Sequence, residues 1–151
     1  MRSSSGLGYQ LGLHGISTAE QIVNVASVPQ RSPFRYPGGK TWLVPQIRAW
    51  LTNLSWKPAL LVEPFAGGAI VGLTAAAEHL AESVVLVEVD EQVAAAWKTI
   101  LSDDCEWLVQ RILSFNLTLD SLQTELADPG CSVKERAFKT ILKNRTFHGG
   151  I

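Results

Sequence analysis

Cysteine and methionine are scarce in this 151-residue sequence: two cysteines, Cys105 and Cys131, and one methionine. Two thiols without metal-ligand spacing exclude a disulfide miniprotein, and they are expected to stay reduced in a cytosol. His14, His79 and His148 stand at no ligand spacing to one another or to cysteine, so no metal site is expected. No Ser-His-Asp arrangement can be defended. Long apolar runs are missing too. The central charge-free stretch, Pro64 to Ala77, is interrupted by Gly67 and Gly68. It falls short of the roughly 18 apolar residues of a membrane helix. The start, Met1-Arg2-Ser3-Ser4-Ser5-Gly6, leads into a mixed segment with no apolar core, which predicts no secretory signal and a cytoplasmic protein. Charged residues make up only 18% of the chain, but hydrophobic ones make up 46%. That balance supports a real core and excludes a disordered tail or a collagen-like repeat.

The net charge of -1 conceals blocks of opposite sign. Residues 1–58 sum to +5, residues 59–128 to -10 and residues 129–151 to +4. A positive C-terminal stretch suits a polyanion. The plainer reading is a solvated helix face.

Residues 1–33 read as a loosely built lead-in with a possible short helix near 18–26. Apolar positions Trp42, Leu43, Ile47, Trp50, Leu51 and Leu54 have helical spacing, with Pro45 in the first turn. Residues 59–62 and 84–87 read as buried strands. Between them lie Gly67-Gly68 and an Ala-rich helical run over 69–81. Asp90 is placed to cap a helix over 91–101. This order opens a doubly wound α/β sheet over residues 34–102. Three helical stretches follow (103–113, 118–127 and 133 to about 145), read as a helical insertion over 103–151. Pro129-Gly130 separates the last two.

Four constellations carry chemistry. Glu63-Pro64-Phe65-Ala66-Gly67-Gly68-Ala69 joins a strand to a helix, so its glycines let a ligand approach backbone N–H groups. Its spacing is not that of the dinucleotide pattern G-x-G-x-x-G. Glu63 at the strand end would repel a pyrophosphate and attract a cation, and S-adenosylmethionine has that sign. Glu88, at the end of the second strand, stands where an acid accepts hydrogen bonds from a ribose diol. In Arg35-Tyr36-Pro37-Gly38-Gly39-Lys40-Thr41 a P-loop is excluded, because position 34 is Phe34 rather than glycine. Lys40 there could meet a carboxylate. Finally, Arg136, Lys139 and Lys143 fall at i, i+3 and i+7 on one helix face, with Arg145 beyond, a stripe suited to phosphates.

In order, Tyr36 to Lys40, Glu63 to Ala69, Glu88 and Asn144-Arg145-Thr146-Phe147-His148-Gly149-Gly150 resemble the motifs of Dam-type adenine-N6 DNA methyltransferases. The resemblance implies a Rossmann-like sheet, S-adenosylmethionine as cofactor and double-stranded DNA as partner. It implies cofactor contacts at Tyr36, Gly38, Gly39, Lys40, Glu63, Pro64, Phe65, Gly67, Gly68 and Glu88, although many relatives have aspartate at the last. It implies that Asn144 to Gly150 lie where the helical part meets substrate, with no defined chemical role. The family's catalytic Asp/Asn-Pro-Pro-Tyr/Phe motif is absent: prolines stand at 29, 33, 37, 45, 58, 64 and 129, none adjacent. The expectation is therefore an N-terminal, cofactor-binding portion with little or no activity alone and an incomplete sheet. The alternatives are a DNA-binding remnant without catalysis, or a methyltransferase for RNA or a small molecule.

Overall fold

Two apolar segments separated by a glycine turn and a short helix form a βαβ unit. The computed structural model describes residues 26, 28–35, 39–128 and 132–147. A 3-10 turn, Lys40–Leu43, runs into α1 (Val44–Thr52), with Pro45 in the first turn, where its missing N–H costs nothing. Then come β1 (Leu60–Pro64), α2 (Ile70–Ala77), β2 (Ser83–Val87) and α3 (Glu91–Ile100). The strands pair in parallel with Leu61 opposite Val84 and Glu63 opposite Leu86. α4 (Cys105–Ser114), α5 (Leu119–Ala127) and α6 (Val133–Thr146) complete the order. The expected helix near 18–26 lies outside the described residues, apart from Ala26, as do Tyr36, Gly38 and the Pro129-Gly130 break.

α2 ends earlier than its alanine run suggests. His79 adopts a left-handed conformation with φ 54°. The Leu80 N–H donates to Ala75 O and the His79 N–H to Ala76 O, which closes the helix in a Schellman motif. α3 begins as expected: Asp90 Oδ1 accepts the Gln92 N–H at 2.8 Å. Two capping boxes, Thr118/Ser121 and Ser132/Glu135, start α5 and α6. The second is legible in the sequence as Ser-Val-Lys-Glu.

The expectation of buried strands is corrected. Leu61, Glu63, Val84 and Leu86 share the face that α2 covers. Leu60, Val62, Val85 and Val87 point the other way and are 43–53% exposed. Apolar composition alone cannot tell a strand buried on both faces from one lacking a second layer. In parallel sheets, burial of both faces comes from helices on each side. Among the described residues only two strands pair, and α2 packs on one face.

The main core lies between α3 and α6. Val93, Ala96, Trp97 and Ile100 recur at helical spacing and pack with Phe34, Ala66, Ala69 and Ala137. Each large side chain so buried contributes on the order of 1.5–3 kcal/mol. A second cluster joins Leu108, Phe138 and Leu142 to α4 and α5. α6 thus belongs to both clusters, and it ties the helical region to the βαβ unit. No helix among the described residues is long and apolar enough to cross a membrane.

Candidate functional site

The loop after β1 carries the site because its backbone is unusual. Phe65, Gly67 and Ala69 have φ of 51°, 52° and 52°. Left-handed conformation costs a non-glycine residue roughly 1–2 kcal/mol, and such residues cluster at ligand sites. The compensations are visible. The Ala66 N–H donates to Val87 O at 2.9 Å, tying the loop to β2. The buried Trp97 indole N–H donates to Gly67 O at 2.8 Å. The Gly67 N–H donates to Glu88 Oε2 at 2.6 Å.

An open cavity of about 430 Å³ lies at this loop, lined by Phe34, Arg35, Gly39, Lys40 and residues 65–70 among others. It sits beyond the carboxyl end of β1, where ligands bind in parallel α/β sheets. α2 starts here with Ala69 as N-cap, a residue whose own side chain makes no capping hydrogen bond. Its first N–H groups give this wall partial positive charge.

The expected residues divide. Gly39, Lys40, Phe65, Gly67 and Gly68 line the cavity. Tyr36 and Gly38 lie outside the described residues. Glu63 turns inward and is 4% exposed. Its Oε1 accepts from Lys40 Nζ at 3.0 Å and its Oε2 from the Gly72 N–H at 2.7 Å. A strand-end carboxylate therefore caps α2 from within, already neutralised by Lys40. Lys40 Nζ also donates to Phe65 O at 2.6 Å and Ala66 O at 3.3 Å. Pro64 ends β1 opposite Val87. Half-buried Glu88 faces outward and braces the turn. Its Oε1 accepts the N–H groups of Val89 and Asp90 at 2.8 and 3.0 Å. A carboxylate has about four acceptor positions, and the N–H groups of Gly67, Val89 and Asp90 take up three of them.

The basic residues of α6 meet partners in the chain. Arg136 Nη1 stands 3.2 Å from Glu91 Oε2, and Lys143 Nζ donates to Gln92 Oε1 at 3.0 Å. Lys139 is 8% exposed and donates to Asp128 O at 2.5 Å. Arg145 Nη2 donates to Pro33 O at 2.5 Å. A mixed-charge groove of about 440 Å³ runs along this side, between the start of α3 and α6.

Two residues escaped sequence reasoning. Trp97 is one of five tryptophans, and nothing local marks it as the turn's clamp. Asn144 is 2% exposed and grips Arg35: its Oδ1 accepts the Arg35 N–H at 2.9 Å and its Nδ2 donates to Arg35 O at 2.8 Å. Its partner lies 109 positions away.

A parallel βαβ unit with a strained, glycine-bearing turn and a ligand-sized cavity at its carboxyl edge defines an α/β protein with a candidate ligand site. Residues 36–125 match the family model of the D12 class N6 adenine-specific DNA methyltransferases, and the chain belongs to that family. The matched stretch ends in α5, so α6 lies beyond it. No curated protein matches the chain. Among the described residues, no group of His, Cys, Asp and Glu is arranged to hold a metal ion.

Proposed function

We propose that this chain binds S-adenosylmethionine at the carboxyl edge of β1 and β2, and that it serves methylation of the N6 amine of adenine in double-stranded DNA. The observation that carries the reading is a cavity at the glycine turn of the family-matched stretch, lined mainly by residues 39–41 and 65–70, with one wall of positive character. Lys40 and the first N–H groups of α2 form that wall, and Glu88, which accepts the N–H of the cavity-lining Gly67, stands just outside the lining. The residues present fit the cofactor. The first α2 N–H groups receive its carboxylate beside Lys40, which holds the loop through Phe65 O and Ala66 O, and Glu88 accepts from its ribose diol. Phe65, 73% exposed, offers an apolar face to its purine. Glu63 acts indirectly by holding Lys40 and the helix start, and Gly39, Gly67 and Gly68 let the backbone come close. Tyr36, Gly38 and Pro64 complete the proposed contact set.

When bound, the sulfonium supplies an electrophilic methyl group. The chain's own part is to orient the cofactor and shield one side of it. The amine of adenine is a weak nucleophile, because its lone pair is delocalised into the ring. Activating it needs acceptors and a stacking ring on a flipped base. The family's Asp/Asn-Pro-Pro-Tyr/Phe segment supplies these, and it is absent from these 151 residues. We therefore assign them cofactor binding without transfer. The β1–α2–β2 unit is proposed as part of a Rossmann-like sheet over residues 34–102, with residues 103–151 as a helical insertion on the DNA side. There Arg136, Lys143 and Arg145 contact phosphates, while Lys139 stays engaged with Asp128. A cytoplasmic site of action accords with a DNA substrate.

Incubation with methyl-labelled S-adenosylmethionine and adenine-containing duplex DNA tests this. Label retained by the protein and none in the DNA is expected. Catalytic labelling of the DNA would overturn the assignment of binding without transfer.

A further inference from the structure

Phe34 and Arg35 form part of the cavity wall, yet residues 33–35 belong to no helix or strand. What fixes them is α6. Asn144 pairs with both polar backbone groups of Arg35, as a neighbouring strand would. Arg145, next in sequence, donates to Pro33 O. Between them Phe34 is pressed into the core, its ring meeting Trp97 edge-on at 5.4 Å between centroids and 68° between planes. Trp97 in turn holds Gly67 O, and Gly67 holds Glu88. An unbroken chain of contacts thus runs from α6 through the cavity wall to the turn and the acid beyond it.

We propose that Asn144 is a positioning residue for the cofactor site: by fixing the Arg35 backbone it seats Phe34 against Trp97 and so sets the cavity's shape. The inference rests on the reading of that cavity as the S-adenosylmethionine site. Asn144 sits at 2% exposure with both amide atoms committed to a backbone that has no other secondary-structure partner. A residue needed only to complete α6 has no reason to carry an amide there. Alanine would remove both hydrogen bonds to the Arg35 backbone and free the wall to move. Residues that support metal ligands typically change affinity by 10- to 100-fold when removed, and an effect at the lower end of that range is expected for this wall.

The test compares the full chain with Asn144→Ala and with Thr140→Val. Thr140→Val removes a fully buried hydroxyl that bonds only within α6, to Arg136 O at 2.8 Å. Affinity for S-adenosylmethionine is measured by calorimetry well below each melting temperature. Protection of the Arg35 amide is followed by hydrogen exchange. Asn144→Ala is expected to lose Arg35 protection and to bind about tenfold more weakly, while Thr140→Val stays within about twofold of wild type. Wild-type affinity in Asn144→Ala, with Arg35 protection lost, overturns the positioning role alone. No binding by the wild type overturns the cofactor reading and this inference with it. If Asn144→Ala gives no cooperative melt, Arg145→Ala replaces it, since that side chain is exposed. A roughly threefold loss of affinity is then expected, and unchanged affinity overturns the proposal.

Discussion

Lys40 and Glu63 form an ion pair beneath the glycine turn, with Nζ 3.0 Å from Oε1 and the carboxylate 4% exposed. Lys40 comes from the segment before α1 and Glu63 from the end of β1, so the contact fastens the entry of the chain to the sheet. It also separates the roles of the two strand-end acids. Glu63 serves the fold, and the proposed function gives Glu88 to the ligand.

Glu63→Gln keeps the shape but removes the charge that Lys40 answers. Lys40 remains 28% exposed on its side chain, so water relieves part of its isolation. The expected loss is about 1–3 kcal/mol of unfolding free energy, read from urea denaturation at neutral pH. An unchanged midpoint would remove the pair from the account of stability.

Gly72→Ala tests the same corner from the helix side. A Cβ at Gly72 would meet Glu63 Oε2 and Leu86 Cδ2 at 2.8 Å each and Val84 Cγ1 at 3.0 Å. Alanine gains roughly 1 kcal/mol of helix propensity over glycine. Forcing a methyl group into a filled site typically costs 1–3 kcal/mol, and here it pushes the Glu63 carboxylate off its own N–H donor. A net destabilisation of about 1–2 kcal/mol is expected by urea unfolding; stabilisation would show that the corner is looser than its geometry.

Trp97→Phe deletes the donor to Gly67 O while keeping an aromatic ring. A buried carbonyl left unpaired costs about 1–3 kcal/mol, and the smaller ring adds a void. The variant is expected to unfold at lower denaturant and to bind S-adenosylmethionine more weakly. Wild-type values in both measurements would contradict the clamp.

A pH dependence follows from Glu78. Its carboxyl is held below the ordinary range, first by hydrogen bonds from Arg48 at 2.6 and 2.7 Å and then by Arg31 at 3.3 Å. A lowered carboxylate value stabilises the fold fully above the unfolded-state value, and that share is lost as pH falls through the folded one. The stability difference between wild type and Glu78→Gln is therefore expected to be flat from pH 8 to about 5 and to shrink below that. The groups are a quarter to a third exposed, so its size stays below about 1 kcal/mol. A difference that grows on acidification would reverse the sign of this argument.

Local chemistry was readable where partners are near in sequence. Gly67-Gly68 between two apolar runs marks the turn, Asp90 announces α3, and Pro45 marks the start of α1. What was not readable depends on distant partners. The apolar character of Val62 and Val85 is the same whether or not a second layer covers them. The stripe of Arg136, Lys139 and Lys143 is plain in the sequence. Its partners Glu91, Gln92 and Asp128 are brought to it by α3 and the end of α5. Asn144 stood inside a recognised motif without a role, because its partner Arg35 reaches it only through the fold.

Calorimetric titration of the folded chain and its Glu88→Ala variant with S-adenosylmethionine, set beside a titration with NAD, tests the central claim most directly. Heat is expected with S-adenosylmethionine, with affinity weakened about tenfold or more in the variant, and none with the dinucleotide. Heat with NAD and none with S-adenosylmethionine would contradict it.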